Sequence, residues 1–145
     1  MMTGMKPPSF DDTQNLPLTT DAEIQDRISQ LVGRAISRQL WLVFLDDLDL
    51  QLPLLIPIEG LPDLPTDEQT GLVLDRVGEV MADIGASAIV TVLERYGPAT
   101  LAHADVAWAA SIRRGCLDRG ITLRAQLLSH RSGVRWIAED DLEHG

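Results

Sequence analysis

The sequence predicts a single α/β domain in which helices flank a mixed β-sheet as three layers. Short apolar runs that are typical of buried strands alternate with longer stretches in which apolar residues recur at helical spacing. The length of 145 residues allows one domain with a sizeable core, and 45% of the residues are hydrophobic. The predicted order of elements is α-β-β-α-β-α-β-β.

The first predicted helix begins at a capping signal. Thr20-Asp21-Ala22-Glu23 has the form of a capping box, in which the threonine and glutamate side chains satisfy each other's backbone amides. Apolar residues then recur up to Ile36, which predicts a helix of about four to five turns. Residues 1–19 lack this periodicity and are predicted to be a disordered tail.

Two strands are expected next. Residues 40–45 are apolar throughout and predict a central strand that is covered on both faces. Residues 50–58 predict an edge or irregular strand, because Pro53 and Pro57 cannot donate to a ladder. The acidic, proline-rich residues 59–70 predict a surface loop.

The remaining elements continue the alternation of helix and strand. They are a helix over 72–84, a strand over 87–93, a helix over 101–119 with Thr100 as N-cap, a strand over 121–129, and a hairpin into a last strand over 134–138. Residues 139–145 are predicted to be an acidic tail, so that the domain spans residues 20–138.

The composition excludes several classes of function. A net charge of −10 argues against sequence-independent binding to nucleic acid. No apolar run approaches the ~20 residues of a membrane span, and no secretory signal is recognisable, so a cytoplasmic location is expected. The single cysteine, Cys116, excludes an internal disulfide and a multi-cysteine metal site.

The charge is distributed unevenly along the chain. Residues 95–135 contain seven arginines and two aspartates, which makes this segment about +5 and the remainder about −15. Two interpretations remain open. The arginines form an ordinary solvated surface, or they form a contact for an anion or an acidic protein.

The stretch from the third predicted strand into the following helix carries a family resemblance. The apolar strand Ala88-Ile89-Val90-Thr91-Val92 is followed by a loop through Gly97, and Asp105 lies near the start of a helix. With the order of elements over residues 24–137, this frame resembles the JAMM (MPN/JAB) fold, most closely its RadC-like bacterial branch. In that family, His-x-His-Pro-Ser-Gly ends the strand and Ser-x-x-Asp opens the helix. The resemblance implies a zinc ion held by the two histidines and the aspartate, with an upstream glutamate as base.

The chain keeps only part of this motif. Gly97, Thr100 and Asp105 take the places of the loop glycine, a loop threonine of RadC-like sequences and the zinc-binding aspartate. The departures are Val92 and Glu94 at the two histidine positions, Arg95 and Tyr96 at the Pro-Ser pair, and Ala102 at the helix-start serine. Because a catalytic zinc normally keeps three protein ligands and valine offers no lone pair, the family's zinc hydrolysis is not expected here.

We therefore expect a non-catalytic JAMM-like domain that acts in protein interaction or regulation, without a cofactor, a metal ligand or a catalytic residue. Glu94, Gly97, Thr100, His103 and Asp105 are expected to form a relic pocket. The alternative is a divergent metal-dependent hydrolase in which Glu94, His103 and Asp105 hold a divalent ion. Glu59, the upstream glutamate near the end of the second strand, is the candidate for the glutamate base of the resembled family.

These residues also have ordinary structural interpretations. Asp105 in a first helical turn favours the helix through its dipole, and Glu94 at a strand end is solvated or paired with an arginine. His103 is expected to be exposed, and Cys116 to be a small buried hydrophobe. Trp136 on the last strand is the candidate for an exposed interface anchor.

The expected partner is a protein whose identity the sequence does not specify. The irregular second strand and the final hairpin provide surfaces for self-association, so a homodimer is one assembly that the sequence allows.

Overall fold

The computed structural model describes residues 17–143. It contains four helices and five strands in the described range, in the predicted α/β order. They are α1 (Asp21–Leu31), β1 (Gln39–Leu45), β2 (Gln51–Glu59), α2 (Asp67–Ile84), β3 (Ala88–Glu94), α3 (His103–Arg119), β4 (Leu123–His130), β5 (Gly133–Trp136) and α4 (Glu139–Glu143).

The strands form one mixed sheet with the order β2-β1-β3-β4-β5. β3 and β4 are parallel and are joined through α3, whereas the other neighbouring pairs are antiparallel. Every residue of β3 is buried, as is expected for a central strand with both faces covered. The mixed sheet between helices confirms the predicted fold class.

Alternate side chains of the central strands enter two separate cores. On β1, Leu40, Leu42 and Phe44 pack toward α2 and α3, while Val43 and Leu45 pack toward α1. This alternation follows from the pleat of a strand, in which successive side chains point to opposite faces. The domain therefore has three layers, with α1 on one face of the sheet and α2, α3 and the short α4 on the other.

The first helix is shorter than its apolar pattern predicts. Thr20 and Glu23 form the predicted capping box, but the helix ends at Leu31 and Gly33 has a φ of +68°. Ile36 therefore lies outside the helix, with 88% of its surface exposed. The prediction that the helix extends to Ile36 was wrong, because the chain turns at Gly33 into a linker that runs to β1.

The boundaries of the two later helices also differ from the prediction. α2 begins at Asp67 because Thr66 and Gln69 form a second capping box, so the predicted loop over 59–70 is too long. α3 begins at His103 with Ala102 in the N-cap position, and Thr100 is not the cap. The chain after β5, where the sequence predicts a tail, contains α4.

The first described residues belong to the packed part of the chain. Leu18 is buried, and its amide donates to the carbonyl of Asp49 at 2.8 Å. Residues 1–16 of the predicted tail lie outside the described residues. Among the described residues, no helix combines the length and the hydropathy that crossing a membrane requires.

β2 forms one edge of the sheet, as its prolines predict. Pro57 stands opposite Trp41 in the β1–β2 ladder, and both Pro53 and Pro57 are exposed. Because proline has no N–H, these two positions cannot donate to an added strand.

α2 and α3 approach each other closely through small residues. A Cβ atom on Gly115 would overlap the side chain of the buried Leu74. The hydroxyl of Ser111 donates to that of Thr70 at 2.8 Å across the same contact. Gly78, which is also inside α2, faces open space, so a Cβ atom there would meet no neighbouring side chain within 4 Å.

The same substitution should therefore have unequal effects at the two glycines. Gly115→Val should lower the free energy of unfolding by about 1–3 kcal/mol, because the valine overpacks the contact between the helices. Gly78→Val should change it by less than about 0.5 kcal/mol, because glycine and valine both have low helix propensity. Denaturant unfolding of both variants checks this, and equal effects would contradict the close packing at Gly115.

Candidate functional site

Three connecting segments meet at the carboxyl end of β3. Ala35 in the α1–β1 linker donates to the carbonyl of His130 at 2.8 Å. Arg131 in the β4–β5 turn donates to the carbonyl of Gly97 at 2.9 Å, and Ile36 donates to the side chain of Glu94 at 2.7 Å. These bonds bring the linker, the β3–α3 loop and the turn together at one end of the sheet.

The carboxylate of Glu94 is buried and receives four hydrogen bonds. One oxygen accepts from the backbone amides of Ile36 at 2.7 Å and Ser37 at 3.0 Å. The other accepts from the side chains of Gln39 and Trp41, each at 2.8 Å. Glu94 has 2% of its surface exposed, and all four of these donors are neutral groups.

These donors determine the ionisation of Glu94. Burial by itself would raise the pKa of this carboxyl, since it disfavours the charged form. The hydrogen bonds from Ile36, Trp41, Ser37 and Gln39 act in the opposite direction and leave the pKa below its usual value. Glu94 is therefore a buried carboxylate that stays charged at neutral pH.

Asp105 is held by the guanidinium of Arg95, the residue that follows Glu94. The two charged groups are 2.7 Å apart, and 8% and 2% of their side chains are exposed. Arg95 donates further to the carbonyls of Pro98 at 2.6 Å and Thr100 at 3.0 Å, while Asp105 accepts from the amide of Ala102 at 2.7 Å. This pair thus fixes both the β3–α3 loop and the start of α3.

His130 lies close to the same arginine. It is buried, and its Nδ1 accepts from the amide of Ser132 at 3.2 Å. Burial lowers its pKa, and the positive charges of Arg95, Arg135 and Arg131 lower it further. His130 is therefore kept in its neutral form at neutral pH.

Glu94 and Asp105 lie on opposite faces of the sheet. Glu94 contacts Trp41, which packs in the core beneath α1, whereas Asp105 belongs to α3 on the other face. Strand alternation explains this separation, because Glu94 and Arg95 are consecutive residues whose side chains diverge. The five residues of the predicted relic pocket therefore do not surround one space.

The other three residues of that predicted pocket have separate positions. Gly97 has a φ of +138°, and a Cβ atom there would be 3.1 Å from the guanidinium of Arg95. Thr100 contributes its carbonyl to Arg95 and is exposed, and His103 is an exposed first residue of α3, as predicted. Across residues 17–143, no group of three or more His, Cys, Asp or Glu residues is arranged to hold a metal ion.

Trp136 lies beside a cavity at the opposite end of α3. The cavity has a volume of about 630 Å³ and lies between the end of α3, the start of β4 and α4. Trp136 is half-buried and packs against the core beneath α1, and its role as an interface anchor stays a prediction. Cys116 also borders the cavity, and burial raises the pKa of its thiol to about 11, although Arg119 acts to lower it.

The sequence analysis did not identify the residues that donate hydrogen bonds to the carboxylates of Glu94 and Asp105. In the sequence, Arg95 stands out only as a departure from a motif, and nothing singles out Gln39 and Trp41 as partners of Glu94. Strand alternation offered a signal for Arg95, because it places residues 94 and 95 on opposite faces. The donors to Glu94 are about 55 residues away in sequence, and no local pattern indicates them.

Comparison of the sequence with models of known families gives no match, and comparison with curated proteins gives no significant match. The resemblance to the JAMM fold therefore rests on the matched frame of residues alone.

Replacing Glu94 should change both stability and its dependence on pH. Glu94→Gln should lower the free energy of unfolding by about 2–4 kcal/mol at pH 7, because the amide NH₂ faces two N–H donors that lose their acceptor. The lowered pKa means that the stabilising contribution is complete above the unfolded-state pKa of ~4.3 and is lost as pH falls through the folded-state value. The variant should therefore lose less stability on acidification than the wild type.

Glu59→Gln is the matched control. Glu59 is an exposed carboxylate on the edge strand β2, and it lies at the same end of the sheet as Glu94. Chemical denaturation from pH 7 to pH 3 measures both variants. An acid dependence of Glu94→Gln that equals that of the wild type would contradict the assigned role of the carboxylate.

Replacing Arg95 should leave Asp105 buried without its cation. Arg95→Met should lower the free energy of unfolding by about 3–5 kcal/mol, the range for removing one partner of a buried ion pair. Arg114→Met is the control, because Arg114 pairs with Asp67 at the surface and such pairs contribute about 0–1 kcal/mol. Equal losses in the two variants would show that the Arg95–Asp105 pair does not have this role.

Proposed function

We propose that this chain is a non-catalytic JAMM-like domain that acts as a protein-interaction or regulatory module. The observation that supports this proposal most strongly is that both carboxylates at the relevant motif positions are already engaged within the protein. Asp105 binds the guanidinium of Arg95, and Glu94 accepts four hydrogen bonds from neutral donors. In this proposal, the residues at the zinc-binding positions of the resembled family hold the linker, the β3–α3 loop and the start of α3 in place.

The guanidinium of Arg95 supplies, beside Asp105, the positive charge that a bound metal ion would otherwise supply. Its planar guanidinium fork matches the geometry of a carboxylate and of nearby carbonyl oxygens. Here it contacts Asp105 together with the carbonyls of Pro98 and Thr100. A metal ion that approached Asp105 would have to displace this guanidinium and leave its buried charge without the carboxylate that neutralises it, which is costly.

The hydrolase alternative requires Glu94, His103 and Asp105 to surround one ion. Glu94 directs its oxygens to the linker and to Trp41 on the α1 face, whereas Asp105 lies on the α3 face. The buried position of Glu94 and its four donors would also have to be given up before it could bind a metal. We therefore favour the non-catalytic function.

The proposed setting is the cytoplasm, with a protein as the partner. The net charge of −10 disfavours nucleic acid as a partner, since such binding requires a basic footprint. A homodimer is the alternative assembly. The prolines on the edge of β2 limit strand pairing there, and the final hairpin is the second surface predicted for self-association.

The proposal predicts that the purified protein contains no stoichiometric metal. Elemental mass spectrometry of protein purified without chelator or a histidine tag should give a metal-to-protein ratio near zero. Addition of EDTA should leave the melting temperature unchanged, because no metal ion contributes to the folded state.

Asp105→Asn provides the internal control for this measurement. A ratio near one in the wild type that falls in Asp105→Asn would refute the non-catalytic proposal and assign the metal to the α3 face. A ratio near one that is the same in both proteins would also refute it, and would direct the search for ligands to another part of the chain.

A further inference from the structure

We propose that the end of the domain formed by the three connecting segments binds an acidic, apolar-containing segment of a partner protein. The surface consists of Arg34, Ile36, Tyr96 and Arg131, which we call the end patch. This inference deepens the proposed interaction function and rests on it, since it specifies where the partner binds and what chemistry it presents.

Backbone hydrogen bonds place the four residues of the end patch close together. The linker that carries Arg34 and Ile36 is bonded to the β4–β5 turn through the amide of Ala35 and the carbonyl of His130. The turn that carries Arg131 is bonded in the same way to Gly97, the residue after Tyr96. The end patch therefore spans three segments that are adjacent in space and distant in sequence.

Two large apolar side chains project from this surface. Ile36 is 88% exposed and Tyr96 is 76% exposed, the two highest values among the exposed large hydrophobic residues. Single exposed apolar residues are common, but two on adjacent segments form a candidate binding centre. Tyrosine is also among the residue types that contribute most to protein interfaces.

The two arginines of the end patch are exposed and available to an anionic partner. Among residues 17–143, no acidic side chain forms an ion pair with Arg34 or Arg131, even though the chain has 22 acidic residues. Glu59, an exposed carboxylate at this end of the sheet, is on β2, with β1 and β3 between it and β4. The end patch thus combines positive charge with apolar surface.

The backbone beneath the end patch is held in place before any partner binds. Glu94 fixes the amide of Ile36, and Arg95 fixes the loop that follows Tyr96 through the carbonyls of Pro98 and Thr100. A surface that is ordered in the free protein avoids part of the entropic cost of binding. The buried charges of Glu94 and Arg95 therefore support a binding surface without contacting the partner.

The chemistry of the end patch favours a protein segment as the ligand over nucleic acid or a second copy of this chain. Aspartate or glutamate side chains would pair with Arg34 and Arg131, and aliphatic or aromatic side chains would cover Ile36 and Tyr96. Nucleic acid would match the arginines, but the chain as a whole is strongly acidic and would repel it. A second copy could offer Leu48, which is 67% exposed among three aspartates of the β1–β2 turn, and self-association is therefore measured as a separate outcome.

The test is selection of 12-residue peptides from a displayed random library on the full-length protein, followed by titration of synthetic versions of the selected peptides. We expect the selected sequences to combine acidic residues with aliphatic or aromatic ones. Tyr96→Ser, Ile36→Ser and Arg131→Glu should each weaken binding by roughly ten-fold or more, and higher salt should weaken binding to the wild type.

Two controls match these variants in chemistry but lie on α2. Leu72→Ser removes an exposed leucine, and Arg76→Glu makes the same change in net charge as Arg131→Glu. Both should bind the peptides as the wild type does. Circular dichroism melting of all five variants confirms that lost binding does not reflect unfolding.

Each other outcome overturns the proposal. Selection of no peptide, or of peptides without acidic residues, contradicts the assigned partner chemistry. Loss of binding in Leu72→Ser but not in Tyr96→Ser would assign the interaction to another surface, and the proposed interaction function would still hold. A stoichiometric metal ion that is essential for stability would refute that function, whatever the peptides show. Sedimentation that shows self-association abolished by Tyr96→Ser assigns the end patch to a second copy, and tight binding of a single-stranded oligonucleotide assigns it to nucleic acid.

Discussion

The burial of a charged carboxylate at the end of β3 constrains the rest of this end of the domain. A carboxylate with 2% exposure is tolerated only when hydrogen bonds replace the water it has lost. Glu94 meets this requirement with donors from the linker and from β1, and so it attaches the chain that follows α1 to the centre of the sheet. The path of the linker and the place where β1 begins both depend on this interaction.

Arg95, the next residue, is also a buried charge whose polar groups are satisfied within the protein, but it lies on the opposite face of the sheet. Arg95 is buried with Asp105, and its remaining donors bind two carbonyls of the β3–α3 loop. Two consecutive residues of one strand end thereby organise segments on both sides of the sheet. Glu94 and Asp105 thus both have partners within the protein, and these contacts hold the backbone beneath the surface that carries Ile36 and Tyr96.

The sequence predicted the architecture well because the signals for it are local. The continuous apolar runs of β1 and β3 indicated strands with both faces covered, and the prolines of β2 indicated an edge. The end of α1 was mispredicted since Ala35 and Ile36 continue the helical spacing by chance, while the actual course of the chain is set by Gly33 and by a distant glutamate. Patterns over a few residues carry no information about such a distant partner.

The candidate site was predicted less well for the same reason. Matching Glu94 and Asp105 to positions of a known motif suggests that they belong to one site. The match does not determine on which face of the sheet each side chain lies. The pleat of β3 and the position of α3 decide that question, and they separate the two carboxylates. Asp105 was also expected to interact with the helix dipole, and the structure adds a guanidinium that no spacing rule had assigned to it.

The organising role of Glu94 is tested most directly by amide hydrogen exchange at Ile36 and Ser37. Both residues are exposed and lie outside every helix and strand of the described chain, so their amides would exchange rapidly if Glu94 did not bind them. We predict slow exchange at both amides, comparable to that of the β1 amides, and fast exchange at both when Glu94 is replaced by alanine, which removes the oxygen that accepts from them. Fast exchange at these two amides in the wild-type protein would contradict the claim that Glu94 organises this end of the domain.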